Sequence, residues 1–243
     1  MLYELRRPPV RRVIPVASII LSLALTTLQA HAQFLGIRAP DEFRDLNTLK
    51  PPVGSKVAII VFEDLACPGC AYAHPLEEQL AKENHVALLR YDFPLAGHIW
   101  TFDGAVCARY LQDKVSPQLA EEYRSAVFSS QRLIANKDDL HQFTQRWMQQ
   151  HGQQMPFVID PGGMLAAKVR SDYNLGMRIH LTSTPTIIVV TQNNYQVVCG
   201  TKTLTDPTRL TPVLNAAIAQ ANATPKALPT QGHKQKQVRS VRN

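Results

Sequence analysis

Apolar positions run without a break from Val57 to Phe62 (Val-Ala-Ile-Ile-Val-Phe), a β-branched stretch that predicts a strand buried on both faces. The period then changes. From Pro68 to Glu83 there is no glycine after position 69, and Leu76 and Leu80 fall on one face, which predicts a helix over 68–83. Val86, Leu88, Leu89, Tyr91 and Phe93 form a second strand and close a βαβ unit, whose crossover requires a parallel pair of right-handed connection. From about Trp100 to His180 the spacing is helical throughout. Phe102, Ala105, Val106 and Tyr110 suit one helix. Ser116-Pro117 caps a second, with Leu119, Tyr123 and Val127 inward. Asn136 caps a third, lined by Leu140, Phe143 and Trp147 and ended at Gly152, and Asp160-Pro161 opens a fourth with Leu165 and Val169. Strand character returns at Thr186–Val190. A turn at Gln192–Asn194 leads to Tyr195–Cys199, which together predict a hairpin. Asp206-Pro207 then caps a last helix with Leu210, Leu214, Ala217 and Ile218 buried. The order is βαβ, an all-helical block, then ββα, with no internal repeat.

The ends of the chain differ from this body. Residues 1–32 carry a basic start (Arg6, Arg7, Arg11, Arg12), an uncharged, mostly apolar run from Val13 to Leu28, and Ala30-His31-Ala32, a small-x-small cleavage site. They are expected to be a signal peptide; a retained anchor is the alternative, weakened by the short run and by Ser22, Thr26 and Thr27. No cysteine precedes Cys67 for lipid attachment. Residues 33–55 form a proline-punctuated lead-in in which Leu46 and Leu49 are the residues available to pack. Residues 222–243 are polar and basic, and a disordered tail is expected there. The net charge of +7 therefore lies at the two ends. Residues 1–32 hold four arginines and one glutamate, residues 225–243 hold five basic residues and no acid, and the span between carries −1. The body has no net positive charge to favour nucleic acid. Export to the periplasm or outside the cell implies a compartment where disulfides persist.

Chemistry concentrates at Cys67-Pro68-Gly69-Cys70, where the first strand gives way to the first helix. A helix start offers unpaired N–H groups and the positive end of the macrodipole. A thiolate there is stabilised, and its pKa can fall from about 8.5 into the range of roughly 3.5–7.5. Pro68 suits a first turn because its missing N–H costs nothing there. A structural zinc would need four ligands, and this is a single Cys-x-x-Cys; a copper carrier using Cys67, Cys70 and His74 is the remaining metal reading. The pattern points instead to a redox dithiol that needs no cofactor beyond its own disulfide.

Taken together, Asp64, Cys67-Pro68-Gly69-Cys70, Pro75, Phe93-Pro94-Leu95 and Ser183-Thr184-Pro185-Thr186 make the chain resemble the DsbA-like thioredoxin-fold thiol:disulfide oxidoreductases over about Lys56 to Gln220. The resemblance implies an α/β thioredoxin fold over 56–97 and 183–221, with a helical domain inserted over 98–182. It implies a cis bond before Pro185 and a place for Pro185 opposite the dithiol. Thr184, Pro185, Pro68 and Gly69 would then form the client-binding rim, with the main chain of Thr184 pairing with an extended client segment as an added strand. It further implies clients that are unfolded or folding exported proteins, and a membrane thiol oxidase of the DsbB or VKOR kind that recharges the pair. The chain departs from the family pattern at Val61, where an acid is frequent, at Pro68-Gly69, which lacks the usual histidine or tyrosine, and at Ser183, where glycine is frequent.

Within this reading Cys67 is the exposed nucleophile and Cys70 the resolving thiol, and disulfide formation is the expected direction, with reduction or isomerisation the alternative. His74, one turn past Cys70, and Asp64 are candidate modulators of the thiolate. Cys107 and Cys199 are either a structural disulfide or two buried thiols.

Overall fold

The computed structural model describes residues 43–223. The elements, in chain order, are β1 (Val57–Glu63), α1 (Pro68–Asn84), β2 (Ala87–Asp92), α2 (Thr101–Lys114), α3 (Pro117–Ser130), α4 (Lys137–Gln150), α5 (Met164–Arg178), β3 (Thr186–Thr191), β4 (Tyr195–Cys199) and α6 (Leu210–Asn222). The four strands form one sheet in the order β2-β1-β3-β4. β1 runs parallel to β2 and antiparallel to β3, with Ile60 opposite Leu89 on one side and Ile188 on the other. β3 and β4 form the antiparallel hairpin, with a register shift between Ile187 and Ile188.

Every residue of β1 is buried, as its unbroken apolar run requires of a central strand. Alternate residues feed two cores. Val57, Ile59 and Val61 face Ala73 and Leu80 of α1 and Leu210, Val213, Leu214 and Ala217 of α6. Ala58, Ile60 and Phe62 face the lead-in residues Phe43, Leu46 and Leu49 together with Phe93 and Ile179. The described part of the lead-in thus contributes side chains to the core, and its regular structure is a 3-10 turn at Leu46–Thr48. A third cluster lies within the helical block and joins Trp100, Cys107, Leu111, Tyr123, Val127, Leu140 and Trp147. The same cluster includes Leu65, Cys67 and Cys70, so the dithiol sits where the sheet and the block meet.

One expectation needs correction. The fourth helix does not open at Asp160-Pro161. Gly162 and Gly163 keep the chain in a turn until Met164, and the Asp160 carboxylate reaches forward to accept from the Ala166 N–H at 2.8 Å. α5 returns to the sheet, where Tyr173 stacks on Phe93 at 4.8 Å between ring centres. The expectations for residues 1–32 and for the tail from 224 onward lie outside the described residues. No helix among the described residues is long and apolar enough to cross a membrane.

Candidate active site

Cys67 is the N-cap of α1 and Pro68 its first residue. The chain reaches this corner through a tight turn, in which the Cys67 N–H donates to the Asp64 carbonyl at 2.9 Å. The Cys67 sulfur therefore occupies the place from which a capping side chain accepts first-turn N–H groups. Both cysteines are free thiols and both are buried, so Cys67 is not the exposed thiol expected: it is 8% accessible, and its S–H donates to the Thr184 carbonyl at 3.2 Å. The Thr184–Pro185 peptide bond is cis. Dithiol and proline thus share one face, and position 69 lies between them: a β-carbon there would meet Pro185 Cδ at 3.0 Å and Cys67 Sγ at 3.6 Å.

The two thiols are electrostatically unlike. Cys67 is lowered to about 6, chiefly because the Cys70 thiol hydrogen-bonds its anion, with the Thr184 side chain and the N–H groups of Cys70 and Gly69 adding to this against the cost of burial. The Thr184 hydroxyl is buried and has no other partner, which leaves it free to serve a thiolate. Cys70 is pushed well above the ordinary thiol value by burial, by the hydrogen bond it gives to Cys67 and by the charge of Cys67. The Asp64 N–H approaches its sulfur at 3.5 Å. One thiol is thereby set to be an anion at neutral pH and the other to keep its proton.

Beneath the dithiol lies a buried ionic cluster. Glu63, at the end of β1, accepts from Arg124 of α3 at 2.8 Å and from Arg90 of β2 at 2.7 Å. Arg90 also holds Glu77 of α1 at 2.9 Å and Glu121 at 2.6 Å. Arg124 reaches Asp92 at 2.8 Å, Asp92 pairs with Arg109 at 2.6 Å, and Arg109 pairs with Asp172 of α5. Because Arg90 serves three carboxylates and Glu77 is fully buried, burial and nearby Glu63 push Glu77 up to about 7 despite the guanidinium. These residues ring the junction of the sheet with the helical block, and nothing in the linear sequence pairs them with one another.

The site residues expected from the sequence divide accordingly. Cys67, Cys70, Gly69, Thr184 and Pro185 come together, and Pro68 is exposed beside them. Asp64 is fully buried and binds main-chain groups: its carboxylate accepts from Ala66 at 2.7 Å and Leu95 at 2.6 Å, tying the corner to the segment after β2. His98 Nδ1 lies 3.0 Å from the same carboxylate without hydrogen-bond alignment. His74 does not turn to the thiols. Its Nε2 meets Ser125 at 2.7 Å and its ring rests on Phe128 of α3, so it docks α1 to the helical block. The Cys67–Cys70–His74 metal set is therefore not assembled. Among the described residues His74 groups instead with Glu63 and Glu77, within 4.8 Å of one another, and both of those carboxylates are held by arginine. Cys107 and Cys199 do not form a disulfide. Both are free and buried, Cys107 in the helical core beside Tyr123 and Cys199 in the core under α1 and α6, and burial raises them to about 12 and about 11.

A sequence profile described as Thioredoxin matches residues 54–198. The chain belongs to the thioredoxin family. Its fold is that of the DsbA-like oxidoreductases: the crystal structure of Wolbachia pipientis α-DsbA1 aligns with a TM-score of 0.56 and 16% identity over 74% of this chain and 98% of that one. Pseudomonas aeruginosa DsbA2 aligns at 0.50 and 14%, over 74% and 96%. A putative protein disulfide isomerase from Nitrosomonas europaea aligns at 0.51 and 11%, over 68% and 98%. No curated protein sequence matches this chain. At these identities the neighbours speak for the thioredoxin fold with its helical block, and the chemistry of this member has to be read from its own residues.

Proposed function

We propose that this thioredoxin-family chain is an exported thiol:disulfide oxidoreductase that forms disulfides in client proteins through Cys67 and Cys70. The observation that carries the reading is the placement of Cys67 at the cap of α1, with its S–H on the Thr184 carbonyl at 3.2 Å beside Pro185 and with Cys70 further inside; there Cys67 is lowered to about 6 and Cys70 raised well above the ordinary value. A client thiolate attacks Cys67 Sγ of the oxidised pair; the Cys67–Cys70 bond breaks, and Cys70 leaves and takes up a proton. A second client thiolate then attacks the client sulfur of the mixed disulfide and expels Cys67 as a thiolate. Two electrons pass from client to enzyme, and a membrane thiol oxidase removes them. Cys67 is the better leaving group because its anion is stabilised, and the same stabilisation favours the reduced enzyme and makes the oxidised form the stronger oxidant.

The Thr184 carbonyl supports client capture. It accepts the Cys67 S–H in the free dithiol, and a thiolate has no proton to give it. The Cys67–Cys70 disulfide has none either, so in the oxidised pair the carbonyl is open to the main-chain N–H of an extended client. Export rests on the basic, apolar and small-x-small pattern of residues 1–32. The decisive experiment is equilibration of the Cys67–Cys70 pair with glutathione. A potential far above that of thioredoxin, at about −270 mV, supports the oxidase direction; a value near it assigns reduction instead.

A further inference from the structure

We infer that Gln131, in the helical block, is a positioning residue for Cys67: its side-chain amide straps the strand-to-helix corner to the block and holds the cysteine at the cap of α1. The inference rests on the proposed reading of Cys67 as the exchanging thiol. Gln131 opens the 3-10 turn Gln131–Leu133 that follows α3. Its Nε2 donates to the Leu65 carbonyl at 2.7 Å and to the Cys67 carbonyl at 3.0 Å. An amide nitrogen carries two hydrogens, so both bonds are made without sharing one.

The two carbonyls flank the turn that delivers the sulfur. On its other side the corner is held by Asp64, through Ala66 and Leu95. Gln131 supplies the corresponding hold from the helical block, where its turn leads directly to Ile134 of the buried core. The strap acts on the thiolate in two ways. It binds the carbonyls of Leu65 and of Cys67 itself, and so holds the negative ends of two dipoles on its own N–H groups. It also fixes the cap geometry in which the Gly69 and Cys70 N–H groups serve the sulfur. Without the two donors the Leu65 carbonyl must recruit water, the Cys67 carbonyl keeps only the Ala71 N–H at 3.2 Å, and the corner is free to relax away from the cap.

The test uses the full reduced chain, with the Cys67 thiolate followed by ultraviolet absorbance and by its rate of alkylation across pH. Gln131→Met keeps the length of the side chain and removes both donors. The expected result is a higher titration midpoint for Cys67. Thiolate fraction and alkylation rate near pH 6 should fall about threefold, and the deficit should vanish at high pH, where Cys67 is ionised in both proteins. Gln131→Glu, which keeps length and polarity but cannot donate when ionised, should raise the midpoint at least as far, and it carries the test alone if the methionine variant does not fold. An unmoved midpoint in the folded variants, or a rate loss equal at every pH, overturns the assignment. The unmodified chain separates the two readings: if its own Cys67 titrates as an ordinary thiol, the activated-thiol reading fails first and this inference falls with it.

Discussion

Gly69 and Pro185 approach so closely that a β-carbon on the first would lie 3.0 Å from Cδ of the second. The same β-carbon would lie 3.6 Å from the Cys67 sulfur and 3.9 Å from the Thr184 carbonyl oxygen. The absence of a side chain at position 69 thus keeps clear the gap between Pro185 and the Cys67 sulfur, beside which the proposed client segment would lie. Gly69→Ala should displace Pro185 by a few tenths of an ångström and narrow that gap. The expected outcome is a several-fold slower reaction with a protein client and a much smaller change with a small thiol reagent. Equal slowing of both would show that the glycine does not gate access.

The two thiols should be separable by substitution. Cys67→Ser should abolish exchange. Cys70→Ser should leave Cys67 able to attack but unable to resolve, so mixed disulfides with clients should accumulate on non-reducing gels. Because Cys67 is lowered to about 6, its folded-state pKa lies below the unfolded value. Its contribution to the stability of the reduced chain is then present at alkaline pH and is lost as pH falls through about 6. Alkylation of Cys67 should follow the same midpoint, measured by mass spectrometry of quenched samples.

Arg124 is 1% exposed and bonds both Glu63 and Asp92. Arg124→Met keeps much of its volume and takes one of two arginine partners from each carboxylate, leaving Glu63 to Arg90 and Asp92 to Arg109. Loss of one partner from a buried ion pair costs about 3–5 kcal/mol. Urea denaturation of the variant should show a loss of that order, and an unchanged midpoint would mean that water reaches the cluster.

Glu77 gives the opposite sign. Burial, and Glu63 nearby, raise it to about 7, above its unfolded value. The folded chain therefore loses stability as pH rises from the ordinary glutamate range towards 7, where the buried carboxyl must ionise. Glu77→Gln cannot ionise and still accepts from Arg90. The variant should match the parent below the ordinary glutamate range and become the more stable of the two as pH rises from there to about 7, with the difference levelling above that. Thermal melts at several pH values check this; parallel curves for the two proteins would refute it.

The helices after β2 show how far local pattern reaches. Ser116 and Asn136 accept the capping bonds expected of them, from Leu119 at 3.0 Å and Asp139 at 2.9 Å, because a cap is decided within four residues. The unbroken run of β1, the parallel crossover and the β3–β4 hairpin are likewise local or topological consequences of the sequence, and so is the placing of two thiols at a helix start. Gly162-Gly163, by contrast, postponed a helix that Asp160-Pro161 had been expected to open.

What the chain by itself determined is the order of elements and the chemistry of its Cys-x-x-Cys. Both follow from side-chain periodicity and from groups separated by a few residues. Tertiary structure alone decided the surroundings of that chemistry: His74 faces Ser125 rather than the sulfurs, Cys107 and Cys199 sit in different cores, and Gln131 reaches Leu65 and Cys67 from more than sixty residues away. It likewise gathered Glu63, Arg90, Asp92, Arg109 and Arg124 into one buried cluster. The physical reason is that a charged or amide side chain carries no periodic signature of its partner. Its place in the interior is set by desolvation and pairing between elements, which exist only once the sheet and the helical block have met.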